Sequence, residues 1–195
     1  MTTVIKSGSD GNTARVDDKA RLHTFSVVQP QNVNSGREGQ TFFIRSPILN
    51  LTSESESFIL FGKNEDSVSW IIEELTTLTG VSAGGSGELS SRYVINPSGG
   101  TLLSSGSEVT PINLNIGHPQ QLGSKVLSGV EGSTATGGIP IEPSMIVSDQ
   151  SEKKFTGSPI VIPTGVSFAF SITPPTGNTG MNVQLDIVLF RDVEI

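Results

Sequence analysis

The apolar residues of this chain come in short groups, FILF, WII, YVI, IVI, FAF and IVLF, each closed off by Gly, Ser, Thr, Asn or Pro. Groups of three or four fit strands that cross a sheet and then turn, and they are too short for the apolar stripe of a buried helix. The 22 glycines and the low share of charged residues, 16%, point the same way, because long amphipathic helices draw on Ala, Leu, Glu and Lys. With 34% hydrophobic residues the chain can still bury a core, so disorder throughout is excluded.

From Gln40 onward the strand signals are regular. TFFIRS and ILNLTS come first, followed by ESFILFGKN, whose alternation puts Phe58, Leu60 and Gly62 on one face and Ile59 and Phe61 on the other. Both faces of that strand are therefore expected to be partly covered. VSWIIEELTTLTG carries Leu and Glu, but its β-branched residues, with Thr76, Thr77 and Thr79, favour a long strand. RYVINP is a strand that stops at Pro97. Residues 98–157 alternate brief apolar groups with glycine turns and read as short strands joined by loops. The last third holds SPIVIP, VSFAFSITPP and NVQLDIVLFRD, with Val183, Leu185, Ile187 and Leu189 on one face of the last. About eight to ten strands at short spacing indicate an all-β fold, a β-sandwich of jelly-roll type.

Residues 1–37 differ from the remainder. They are polar, hold many of the basic residues and show only short apolar groups, which reads as an extended N-terminal arm ahead of a sandwich domain at 38–195. Ala14 to Val16 and Leu22 to Val28 read as two short strands around the polar turn at Asp17, Asp18 and Lys19. A hairpin of that size is marginal in water by itself, so the arm is expected to be ordered by packing on something else, another chain included. The residues expected to carry docking are Ile5, Arg15, Val16, Leu22, His23, Phe25 and Val27, since an apolar and basic arm otherwise has nothing to bury.

The chemistry that the sequence excludes is broad. With no cysteine there is no disulfide, thiolate metal site or cysteine nucleophile. The two histidines, His23 and His118, are too few for a zinc site within one chain, although a trimer could gather one of them on its axis. Glu73 and Glu74, adjacent in a strand, are expected on opposite faces and so form no acid and base pair. The glycine-rich pieces GGSG, PSGG and ATGG lack the Lys and Ser/Thr of a phosphate loop. The expectation is therefore no catalytic set, no cofactor and no metal. A net charge of −7 with scattered basic residues argues against nucleic acid as a partner. MTTVIKSGSD has no signal-peptide core and no stretch of about 18 apolar residues occurs, so neither secretion nor a membrane span is expected, and synthesis is placed in a cytoplasm.

The opening IKSGSDGNTARVDDKARLHTFSVV resembles an N-terminal module of virion structural proteins from tailed bacteriophages. NPSGGTLLSSG, NLNIGHPQQL with VLSGVEGSTATGG, and IVIPTGVSFAFSITPPTGNTGMNVQLDIVLFRD extend the resemblance over nearly half of the chain. It implies a β-stranded particle component without catalytic activity that works in many copies. The expectation is an accessory or decoration protein of the head, neck or tail, a homotrimer that docks through its arm on copies of itself or on the major capsid, neck or tail proteins. A second class is a receptor-binding or carbohydrate-binding module on the virion, in which loops 83–90, 131–139 and 175–180 would meet a cell-surface glycan.

Overall fold

A computed structural model describes residues 4–6, 13–16, 22–23, 38–80, 82–85, 88–147, 153–155 and 160–192. Two compact units divide the chain, Met1–Gln31 and Asn32–Ile195.

The first unit contains β1 (Val4–Lys6), β2 (Thr13–Val16) and β3 (Leu22–His23), joined in that order in an antiparallel three-stranded sheet. The expected hairpin around the Asp17 turn is β2 with β3, which pair Val16 with Leu22 and Arg15 with His23. β1 is an addition to it, with Ile5 opposite Ala14.

The second unit is an all-β sandwich. Its strands are β4 (Thr41–Arg45), β5 (Leu49–Leu51), β6 (Ser57–Asn64), β7 (Trp70–Thr79), β8 (Glu88–Ile95), β9 (Ser107–Glu108), β10 (Ile112–Asn113), β11 (Ser124–Ser128), β12 (Ile139–Val147), β13 (Lys153–Phe155), β14 (Ile160–Ile162), β15 (Ser167–Thr173) and β16 (Met181–Arg191). One sheet runs β10-β4-β16-β7, with β13 and β14 end to end along the far side of β7 and β5 beside β16. The facing sheet runs β12-β8-β15-β6-β11-β9. Every pairing is antiparallel, and the chain passes from β4 to β6, β7 and β8, then from β12 through β14 and β15 to β16. Apart from the step from β8 to β12, each of these moves changes sheet. Strands β4, β16, β7 and β14 thus face β6, β15, β8 and β12, which is the doubly wound arrangement of a jelly roll.

The core lies between the sheets. β16 supplies Met181, Val183, Leu185, Ile187 and Leu189, all buried, as their period of two requires. Phe42, Ile44, Trp70, Ile72 and Leu75 join them from the same sheet, and Leu89, Phe168, Phe170 and Ile172 meet them from the other.

Two bulges change the faces read from strict alternation. In β15 and β6, Phe170 lies opposite Leu60 and Ser171 opposite Phe58, so Ile59 is an extra residue. Ile59 and Leu60 therefore both enter the inter-sheet core, while Phe58 and Phe61 face outward. In β7, Glu74 pairs with Val188 and Ile72 with Leu189, which leaves Glu73 as the extra residue. The core positions change from Trp70 and Ile72 to Leu75, Thr77 and Thr79, and Glu73 and Glu74 both lie off the core side instead of straddling the strand.

The stretch 98–157 contains a helix that short strands and loops did not anticipate, α1 (Thr101–Ser105). Its Leu102 is fully buried in a second cluster with Phe58, Phe61, Val94, Leu127 and Ala169, on the outer face of the β6-containing sheet. Gly100, at φ +106°, turns the chain into α1, and a Cβ there would lie 2.3 Å from Thr134 O, so only glycine fits. This accounts for the two covered faces of β6: one meets the other sheet, the second meets α1.

Candidate docking surfaces

The outer faces of the two sheets differ. The face of the β6-containing sheet is closed by Leu102 and, beyond it, by a polar clasp. Arg92 donates through Nε and Nη2 to the two oxygens of Glu56, Ser171 Oγ donates to Glu56 Oε1 at 2.6 Å, and the guanidinium lies 5.5 Å from the Phe58 ring centre. This side carries its own cover.

The outer face of the β16-containing sheet is built differently. Register places Val161 opposite Ile71, Ile71 opposite Phe190, and Phe190 opposite Thr41 in one row. The adjacent row runs Glu74, Val188, Phe43 and Ile112. Cross-strand partners share a face, so these rows form a band across four strands that is apolar apart from Thr41 and Glu74; Phe190 and Thr41 within it are buried, and Val161 and Ile112 at its ends are exposed. Its border is the pair Arg45 and Asp186, with Nε to Oδ1 at 2.9 Å and Nη2 to Oδ2 at 2.6 Å. The Arg45 guanidinium also lies 4.9 Å from the Phe43 ring centre. Its hydrogen bonds to Asp186, and then the carboxylate's charge, raise the Arg45 pKa.

The band continues into the loop after β10. Leu114 N–H donates to Thr41 O at 2.9 Å, and Asn113 Nδ2 bonds Gly39 O at 2.8 Å and Gln120 O at 2.9 Å. Asn115 N–H closes on Asn113 Oδ1, and Gln120 N–H donates to His118 Nδ1. The loop is thus pinned from within while Ile112, Leu114 and Ile116 point to solvent. The His118 ring packs on Gly39, where a Cβ would lie 2.3 Å from the ring, so this histidine secures the loop to the start of the sandwich.

Several polar groups in or beside the loops considered for sugar binding are bonded inside the chain. Asn178 Nδ2 bonds Leu51 O and Ser53 O, Ser82 Oγ donates to Asn178 Oδ1, and Gly177 N–H donates to Glu54 Oε1. Glu131 accepts the N–H groups of Thr52 and Ser53. Among the described residues no group of three or more His, Asp or Glu side chains could hold a metal ion.

Of the residues expected to dock, Ile5 lies in β1, Arg15 and Val16 in β2, and Leu22 and His23 in β3. The register brings Arg15 opposite His23 and Val16 opposite Leu22; Phe25 and Val27 lie outside the described residues. Sequence reasoning missed Ile112, Leu114 and Ile116 as surface residues. Their spacing of two in an uncharged run was the available signal. No family model matches this sequence, and no curated protein matches it.

Proposed function

We propose that this chain is a non-enzymatic structural protein of a tailed-bacteriophage particle, an accessory or decoration component of the head, neck or tail that acts as a homotrimer and docks through residues 1–37. It would be made in the host cytoplasm and reside in the virion. The observation that carries this reading is the contrast between the two units. The sandwich has a closed core and loops whose polar groups bond one another. Among its described residues the N-terminal unit has three strands of two to four residues, and a sheet that small is marginal by itself in water. A segment of that kind gains its stability by docking. The resemblance of the opening SGSDGNTARVDDKARLHTF to a virion module supports the same assignment.

The test is deletion of residues 1–37. The expected result is a β-rich, cooperatively folding domain that no longer enters particles, and a truncated protein that entered them normally would overturn the docking role. Mass measurement in solution tests the trimer. Saturable binding on a glycan array would favour a receptor-binding module instead.

A further inference from the structure

We infer that the ridge formed by Ile112, Leu114 and Ile116 is a self-association surface, which packs against the same ridge of other copies of this chain on the symmetry axis of a homo-oligomer. This rests on the homo-oligomeric part of the proposed function and is independent of the arm.

From Val109 to Ile116 exposure alternates with the strand period: Thr110, Ile112, Leu114 and Ile116 face solvent, and the residues between them are half-buried. Ile112 is 58%, Leu114 47% and Ile116 95% exposed. β10 pairs with β4 on one side and ends its sheet, so no strand among the described residues lies beyond it. Ile116 stands at the apex of a turn that His118 N–H closes on Asn115 O at 2.9 Å, with Gly117 at φ +91° in the position after it. The base of the turn is fixed by the bonds of Asn113 to Gly39 and Gln120 and by the His118 ring on Gly39. An aliphatic side chain held outward by a turn that is already ordered loses little further freedom when a partner covers it. Apolar side chains gathered in this way mark an interaction surface.

The chemistry of the ridge selects a copy of this chain as its occupant. No Asp, Glu, Lys or Arg occurs between Glu108 and Lys125, and the Asn113 amide is bonded inside the loop, to Gly39 O and Gln120 O. A surface of aliphatic side chains without charge is of the kind found between identical subunits, whereas contacts between proteins that also live apart are more polar. Each copy carries a net charge of −7, so a partner of different sequence is drawn to this chain by positive charge and meets its acidic residues. Copies of the chain share one sign and repel, and they can close on each other where that charge is missing, as it is along residues 109–124.

A ridge that meets itself lies on or beside a symmetry axis, because every copy then supplies the same residues. The aliphatic side chains from each copy form the dry centre of the contact, and Thr110, Pro119 and Gln121, exposed around them, form its rim. β10 is two residues long and is preceded by Pro111, so extension of the sheet from edge to edge contributes little and side-chain packing dominates.

The chain has no cysteine, so single substitutions report the contact. Ile112→Cys, Leu114→Cys and Ile116→Cys, each in the full chain, are treated with a short bismaleimide, with Val130→Cys, exposed outside the ridge, as the control. The expected products are covalent dimers from the ridge positions and none from the control. In parallel, Leu114→Asp combined with Ile116→Asp should weaken self-association by at least about tenfold in mass measurements across a dilution series. The far-ultraviolet circular dichroism should be retained, since both side chains are exposed. A chain that stays oligomeric with the two aspartates and gives no ridge cross-link would overturn the inference and leave the homo-oligomer. Loss of particle entry in the aspartate variant with its oligomer intact would also overturn it and assign the ridge to another protein. Ridge cross-links in a native chain that measures as a dimer would uphold the inference and remove the trimer, and a native chain that is monomeric throughout the series would remove both.

Discussion

Trp70 donates its indole N–H to Asp66 Oδ2 at 3.0 Å, and both residues are buried at one end of the sandwich. Asp66 Oδ1 accepts the Gly123 N–H at 3.1 Å, and Arg191 Nε lies 3.2 Å from Oδ2, close enough for an ion pair although its N–H is not aimed at that oxygen. Arg191 Nη1 bonds Gln40 Oε1 in turn, so one carboxylate ties the β6 to β7 turn, the end of β16 and the point where the arm joins the sandwich.

Asp66→Ala should therefore destabilise the sandwich by about 3 kcal/mol, because it leaves an indole N–H and a guanidinium without their buried partner. Chemical denaturation followed by tryptophan fluorescence reads this directly, since the chain has one tryptophan. A loss under about 1 kcal/mol would mean that water replaces the carboxylate.

Thr79 predicts a gain. It is buried on the core side of β7 opposite Val183, and its hydroxyl has no hydrogen-bond partner. Thr79→Val keeps the shape and β propensity and removes an unsatisfied buried polar group. The expected change is about 1 kcal/mol of added stability, a rise in Tm of about 2–4 °C for a domain of this length. A fall in Tm would show that the hydroxyl is held by water.

Local pattern was enough where it governs structure locally. β16 follows from the spacing of Val183, Leu185, Ile187 and Leu189, and β7 from Thr76, Thr77 and Thr79 outweighing Leu and Glu. The bulges at Ile59 and Glu73 were not legible, because an extra residue leaves a strand's composition unchanged and is defined only by the partner's register. α1 was hidden for a related reason. TLLSS is too short to show a helical period, and its helix depends on the Gly100 turn and on an apolar face supplied by β6, β8, β11 and β15. In the arm, Arg15 and His23 were named separately, and their pairing needed the β2 to β3 register. Ile112, Leu114 and Ile116 show a strand-like alternation, but whether that face is covered is decided by the edge position of β10.

Glu131 predicts how one loop responds to acid. Its carboxylate accepts the N–H of Thr52 at 2.5 Å and of Ser53 at 2.7 Å, with the Thr52 hydroxyl at 2.9 Å. The Thr52 hydroxyl and then these N–H groups hold its pKa below the usual 4.5. A carboxylate whose pKa is depressed by folding stabilises the fold in full above that usual value, and the contribution disappears as pH falls through the lowered one. Glu131→Gln loses the charged acceptor at every pH. The Tm gap between the native chain and this variant should thus be widest near neutral pH and close progressively below about 4.5. Thermal unfolding across a pH series measures it, and a gap that stayed constant into strong acid would show that the ionised form of Glu131 does not hold the Thr52 and Ser53 turn.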